Sequence, residues 1–195
     1  MSHTAGSAHY DRAGEARVSV RASVLERGSW ALYDFSNTIF SMNVTTLYFG
    51  VWLLNDLRAS STLYAMGNAV ASLLVVFTLP LMGAISDSRR RRKKWVVGFT
   101  LLCCAATVAI GVLGHTSLPV IGQGVIDPAT ADPAFRAGFA DLGWVLIAFV
   151  VANFAYQSAL PFYNAMLPEL VPAEEQGRMS GIGVAVGYVG SIVGV

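Results

Sequence analysis

Four stretches of this chain contain almost no charge. Trp30 to Leu54 has a single ionisable acid or base, Asp34, and Leu63 to Ile85, Trp95 to Gly114 and Leu142 to Leu167 have none. Each runs to about 20 residues or more, enough to cross a hydrocarbon core of roughly 30 Å as a helix. A soluble domain of 195 residues has too little interior to bury four helices that are apolar all round. Charged residues make up only 13% of the chain, about half the share of an ordinary soluble domain. The sequence therefore implies an all-α, polytopic transmembrane bundle, with the lipid bilayer as its first partner.

The bases set an orientation. Arg12, Arg17, Arg21 and Arg27 precede the first apolar segment, six more run from Arg89 to Lys94, and Arg178 follows the fourth segment. Eleven of the thirteen Lys and Arg thus fall on one side, leaving Arg58 and Arg136 on the other. The positive-inside rule places the eleven in the cytoplasm. The expected layout is a cytoplasmic arm over 1–28 and a bundle over 29–195, with helices at about 30–54, 63–85, 95–115 and 142–167. Residues 115–141, with three prolines, read as an irregular external loop. The last stretch, 179–195, reads as an incomplete fifth helix, since its 17 residues reach only about 25 Å. Its glycines, Gly183 with Gly187 and Gly190 with Gly194, form small-xxx-small pairs that let helix backbones approach closely. The expectation is a fragment of a longer chain, in a plasma membrane.

Other function classes find little support. The slight net charge gives no footprint for nucleic acid, because the bases serve topology. No HExxH or GxSxG pattern is present, and His115 is the only histidine beyond the N-terminal arm, so neither an enzyme nor a metal or other cofactor is expected. Cys103 and Cys104 are adjacent in an apolar segment and read as packing residues.

What remains is a set of polar residues inside the apolar segments. On the first, Asp34, Asn37 or Thr38, Ser41 and Thr45 recur at three- and four-residue spacing, one face of an α-helix. On the fourth, Asn153, Gln157 and Asn164 share a face, and the second adds Asn68 and Ser72. Such groups are costly toward lipid, so they face the bundle interior or a wet cavity. The alternative is that they are interhelical hydrogen bonds and nothing more. The expected arrangement has Asp34 nearest Asn164 in depth, with Asn37 near Gln157. Asp34 itself is either held at the interface by the start of its helix or buried as a charge in the bundle.

The stretch "GAISDSRRRRKK" brings a resemblance. It is similar to the loop between helices two and three of the major facilitator superfamily, G-x-x-x-D-[RK]-x-G-x-[RK]-[RK], with Gly83, Asp87, Arg92 and Lys93 matching and Ser88 and Arg90 departing. Trp30, Tyr33, Asp34, Phe35 and Asn37 resemble the W-x-x-Y-D-F-x-N pattern of its vacuole effluxer-like, autophagy-related permease branch. Phe162, Tyr163, Asn164, Leu167, Pro168 and Glu169 resemble that branch's F-Y-N-x-x-L-P-E. The resemblance implies two six-helix bundles around a cavity lined by helices one and four, with this chain in the N-terminal bundle and the C-terminal half as its partner. It also implies secondary active transport of a small solute by alternating access, with amino-acid efflux among the functions of relatives and the Asp87 loop as a conformational latch. A membrane scaffold or assembly subunit without transport is the alternative.

Overall fold

The computed structural model describes residues 22–55, 60–89, 92–121 and 133–194, without the side chains of 85–89, 116–121 and 133–141. The helices are α1 (Val24–Ile39), a π-helical segment (Phe40–Tyr48), α2 (Phe49–Asn55), α3 (Ser61–Arg89), α4 (Arg92–Ile121), α5 (Pro133–Asn164), α6 (Leu167–Leu170) and α7 (Ala173–Val193). No strand occurs among the described residues. A helix satisfies all its backbone groups internally, which is what an apolar environment demands. Three stretches, Ser61–Ala84, Arg92–His115 and Leu142–Leu170, are long and apolar enough to cross a membrane.

The helices outrun the uncharged segments that announce them. Ser23 starts α1 early through a capping box: its hydroxyl accepts from the Glu26 amide at 3.2 Å, and its own amide donates to Glu26 Oε2 at 2.7 Å. Helix α4 continues to Ile121 and α5 begins at Pro133, so the expected irregular loop is helical at both ends. Proline at a first helical position sacrifices no bond, which is why Pro133 can open α5. Residues 122–132 lie outside the described residues. Likewise α7 begins at Ala173, six residues before the expected 179, with Glu174 and Glu175 in a first turn that favours acids.

Helix α5 is the hub. It packs along α4 on one side and α3 on another, while α1 runs along α7. Of its most apolar window 44% is buried, against 22% for α4 and 11% for α3, so α5 is central and α3 is largely exposed. Two apolar clusters fill the interior. One joins Trp30, Phe99, Phe162, Tyr163 and Met179, and the other joins Phe49, Leu53, Ile110, Val145 and Phe149. Phe49 and Phe149 stack at 3.9 Å with planes 4° apart.

Candidate functional site

The polar residues of the spans separate into two groups. The first is a chain of amides between α5 and α3. Gln157 Nε2 donates to Asn153 Oδ1 at 3.2 Å, Asn153 Nδ2 donates to Asn68 Oδ1 at 2.8 Å, and Asn68 Nδ2 donates to the Tyr64 carbonyl at 3.1 Å. Ser72 closes the far end at 3.4 Å from the Gln157 side chain. One helical turn separates Asn153 from Gln157 and Asn68 from Ser72, so two facing ladders form. Asn153 is fully buried, whereas Gln157 is half-buried and Ser72 exposed, so the chain opens toward its Ser72 end. It carries no charge, and each member can exchange a bond within the chain for one to an entering polar molecule.

The second group lies where α1 meets the glycines of α7. A Cβ placed on Gly183 would come 2.7 Å from the Trp30 ring, and one on Gly187 would come 2.7 Å from Thr38 Oγ1 and 3.1 Å from Asp34 Oδ2. One on Gly194 would collide with Asn43 Nδ2. Asp34, Thr38 and Asn43 thus occupy the space that the missing side chains leave. The Asp34 carboxylate is half-buried and makes no hydrogen bond among the described residues. Asn43 is 5% exposed, and neither polar atom of its side chain has a partner among the described residues.

The structure does not place Asp34 or Asn37 opposite the amides of α5. The amide face of α5 turns to α3. Asn37 meets the other side of α5, lining a groove of about 490 Å³ with Thr100, Cys103, Tyr156 and Ala159. Asn164 is exposed at the end of α5. Ser41 donates its hydroxyl to the Thr38 carbonyl at 3.1 Å. Beyond Ile39 the spacing on this span changes in the π segment. Its i→i+5 pattern places Thr46 Oγ1 on the Ser41 carbonyl at 2.8 Å, five residues back. The face that starts at Asp34 and Thr38 therefore continues to Asn43, not to Ser41 and Thr45. Asn43 was missed for that reason. Its one signal is a buried-type amide a single residue off an α-helical face.

The two aromatic motifs meet. Trp30 and Tyr163 stack at 4.6 Å, and each ring donates to the other's backbone, Trp30 Nε1 to the Tyr163 carbonyl at 3.3 Å and the Tyr163 hydroxyl to the Trp30 carbonyl at 3.0 Å. Tyr33 packs on Tyr163 and shares a hydrogen bond with Thr100 Oγ1 at 3.1 Å. Residues 133 apart in sequence thus clamp α1 to α5.

At the same end, Arg92 Nη1 donates to the Ala165 carbonyl at 2.8 Å and to Glu169 Oε1 at 2.9 Å. A base at the end of α5 satisfies carbonyls that no further turn can reach. Arg27 pairs with Glu175 at 3.2 Å, joining the starts of α1 and α7. Lys93 is exposed, and Gly83 has open space around it. Asp87 lies in the last turns of α3, and its side chain is outside the described residues.

The family model of the Major Facilitator Superfamily matches residues 6–195. An uncharacterized protein of Aquifex aeolicus (strain VF5) is 28% identical over 166 residues, covering 85% of this chain and 36% of its own. An uncharacterized MFS-type transporter, YxiO, of Bacillus subtilis (strain 168) is 24% identical over 177 residues, covering 86% of this chain and 35% of its own. The chain spans about a third of the length of these curated relatives. No solved structure matches it significantly.

Proposed function

The chain belongs to the major facilitator superfamily, and from that premise we propose that it forms part of a secondary transporter for a small, polar solute. It is an integral, multi-pass membrane protein of a transporter family, which implies transport in place of catalysis. In the proposed mechanism this bundle rocks against the C-terminal half of the same transporter around a site near the midplane. The observation that carries the reading is the uncharged amide chain Asn68–Asn153–Gln157 with Ser72 at its open end. Groups of this kind inside membrane-spanning helices are costly unless they serve one another or a passing solute.

Within this reading Asn68, Asn153 and Gln157 contact the solute, and Asp34, Asn37, Ser41 and Asn164 bear on the path from other faces. Gly83, Asp87, Arg92 and Lys93 form the conformational loop, with Arg92 already holding the α5–α6 turn. The aromatic clamp is built from the residues that resemble the vacuole effluxer-like branch, which supports amino-acid efflux as the first cargo to test. The distribution of bases supports a cytoplasmic N-terminus, and the plasma membrane is the proposed location.

The amide bonds would equally hold together a bundle that transports nothing. Efflux of labelled amino acids from cells loaded with them separates the two readings. Gln157→Ala should reduce efflux at normal membrane abundance, and Asp87→Asn should do the same through the latch. Normal efflux with lowered abundance in Gln157→Ala would leave only the structural role.

A further inference from the structure

The first three turns of α1 and α7 line an open cavity of about 340 Å³, apart from the amide chain. Its wall is apolar, from Val24, Ala31, Val171, Met179 and Ile182, and its polar edge carries Arg27, Arg178 and Glu175. Glu175 answers one of the two guanidinium groups, accepting from Arg27 Nη1 at 3.2 Å. Arg27 Nε stays buried without a partner, and Arg178 is exposed with no ion pair among the described residues. One positive charge is therefore left over beside hydrocarbon. The N-terminal ends of α1 and α7 both lie here, adding the positive ends of two helix dipoles.

Depth selects the ligand. The cavity lies at the end where α1 and α7 begin, and its Val171 directly follows α6, which carries Glu169 of the Arg92–Glu169 pair; bases gather at this end, as they do where spans meet headgroups. Beside it, Val24 and Leu25 are 89% and 81% exposed, large apolar side chains turned outward within a turn of Arg27. A free inorganic anion would use the two arginines and gain nothing from the wall. A lipid with a phosphodiester and acyl chains matches both.

We propose that this cavity binds the headgroup phosphate of an anionic phospholipid between Arg27 and Arg178, with an acyl chain along Val24 and Ile182. Bound so, the lipid bridges α1 and α7 at the end where Arg27 and Glu175 already join them.

The test is retention of phosphatidylglycerol against phosphatidylcholine by the purified protein, read by native mass spectrometry. Arg178→Gln leaves the Arg27–Glu175 pair in place and should reduce phosphatidylglycerol retention about fivefold. Arg27→Gln should reduce it at least as much. Lys94→Gln removes an exposed base outside the cavity and should change nothing. Unchanged retention in Arg178→Gln, with helix content preserved by circular dichroism, would overturn the site. So would an equal loss in Lys94→Gln, which would mean diffuse attraction to a basic surface. Displacement of phosphatidylglycerol by inorganic phosphate in phosphatidylcholine micelles would overturn the lipid in favour of a free anion.

Discussion

The α4–α5 seam and the α1–α7 seam join neighbouring helices by opposite means. Between α4 and α5 the contact is apolar. Trp95, Phe99 and Phe162 form a triangle of rings with centroids 5.9 to 6.1 Å apart beside the buried Ala155, and Ala106, Ala148 and Ala152 are buried further along the seam in the second cluster. Between α1 and α7 the contact is glycine against polar or aromatic groups: Trp30, Asp34, Thr38 and Asn43 on one side, Gly183, Gly187, Gly190 and Gly194 on the other. Lipid tails are as apolar as leucine, so neither seam gains from the hydrophobic effect, and both depend on packing. The first packs side chains of fixed shape and leaves no choice of partner. Among the described residues, the second holds a carboxylate without a hydrogen bond and an amide without any, in room made by missing Cβ atoms.

The same substitution at two glycines should separate the packed α1–α7 seam from an open face of α4 most widely. A Cβ on Gly190 would lie 2.5 Å from the Phe35 carbonyl oxygen, which is backbone and cannot turn aside. Gly190→Ala should cost about 1–3 kcal/mol in denaturant unfolding followed by circular dichroism. Gly98 on α4 has nothing within 4 Å, so Gly98→Ala should gain about 0.5–1 kcal/mol from helix propensity. Equal effects at the two positions would remove the distinction.

Asn153→Leu tests a third kind of contact, the amide bond across α3 and α5. Intramembrane hydrogen bonds of this sort average about 0.6 kcal/mol and reach about 1.7, so the loss should fall below that of Gly190→Ala. A larger loss would make the amide chain a principal support of the fold.

The smallest effect is expected at the start of α1. The Ser23 amide bond to Glu26, with help from the Ser23 hydroxyl, holds the Glu26 carboxyl below its ordinary value of 4.5. A lowered folded pKa means stability that is present above the unfolded value and lost as pH falls through the folded one. Protection against amide exchange in the first turn of α1, relative to the intrinsic rate, should fall on going below the ordinary value, and Ser23→Ala, which removes the hydroxyl but keeps the amide donor, should weaken that pH dependence without erasing it. The α4–α5 seam should show no response over the same range.

How much of this the sequence disclosed depends on the length scale. Three of the expected spans, within α3, α4 and α5, were legible because lipid forbids charge over some 20 residues, whereas the first is divided among α1, the π segment and α2. The facing of individual residues on α5 and α3 was partly legible, because both are α-helical and the spacing of Asn153 and Gln157 carries through. What turned the amides toward Asn68 and not Asp34 is the choice of neighbour, which no single helix's periodicity contains. On the first span the spacing itself changes over Phe40–Tyr48, where no proline or glycine marks the switch. Asn43 was hidden by that step, and Ser41 and Thr45 were over-read by it. The pairing of Arg92 with Glu169 and of Arg27 with Glu175 joins ends far apart in sequence and left no pattern to read.

The central claim is that the amide chain borders water and the plain face of α4 borders lipid. Single cysteines test it in a background lacking Cys103 and Cys104. In membranes treated from both sides with a charged, water-soluble thiol reagent, Ser72→Cys and Gln157→Cys should be modified, and Leu101→Cys, on the outward side of α4, should not. Protection of the first two positions to the level of Leu101→Cys would mean a dry, merely structural amide chain and would contradict the account.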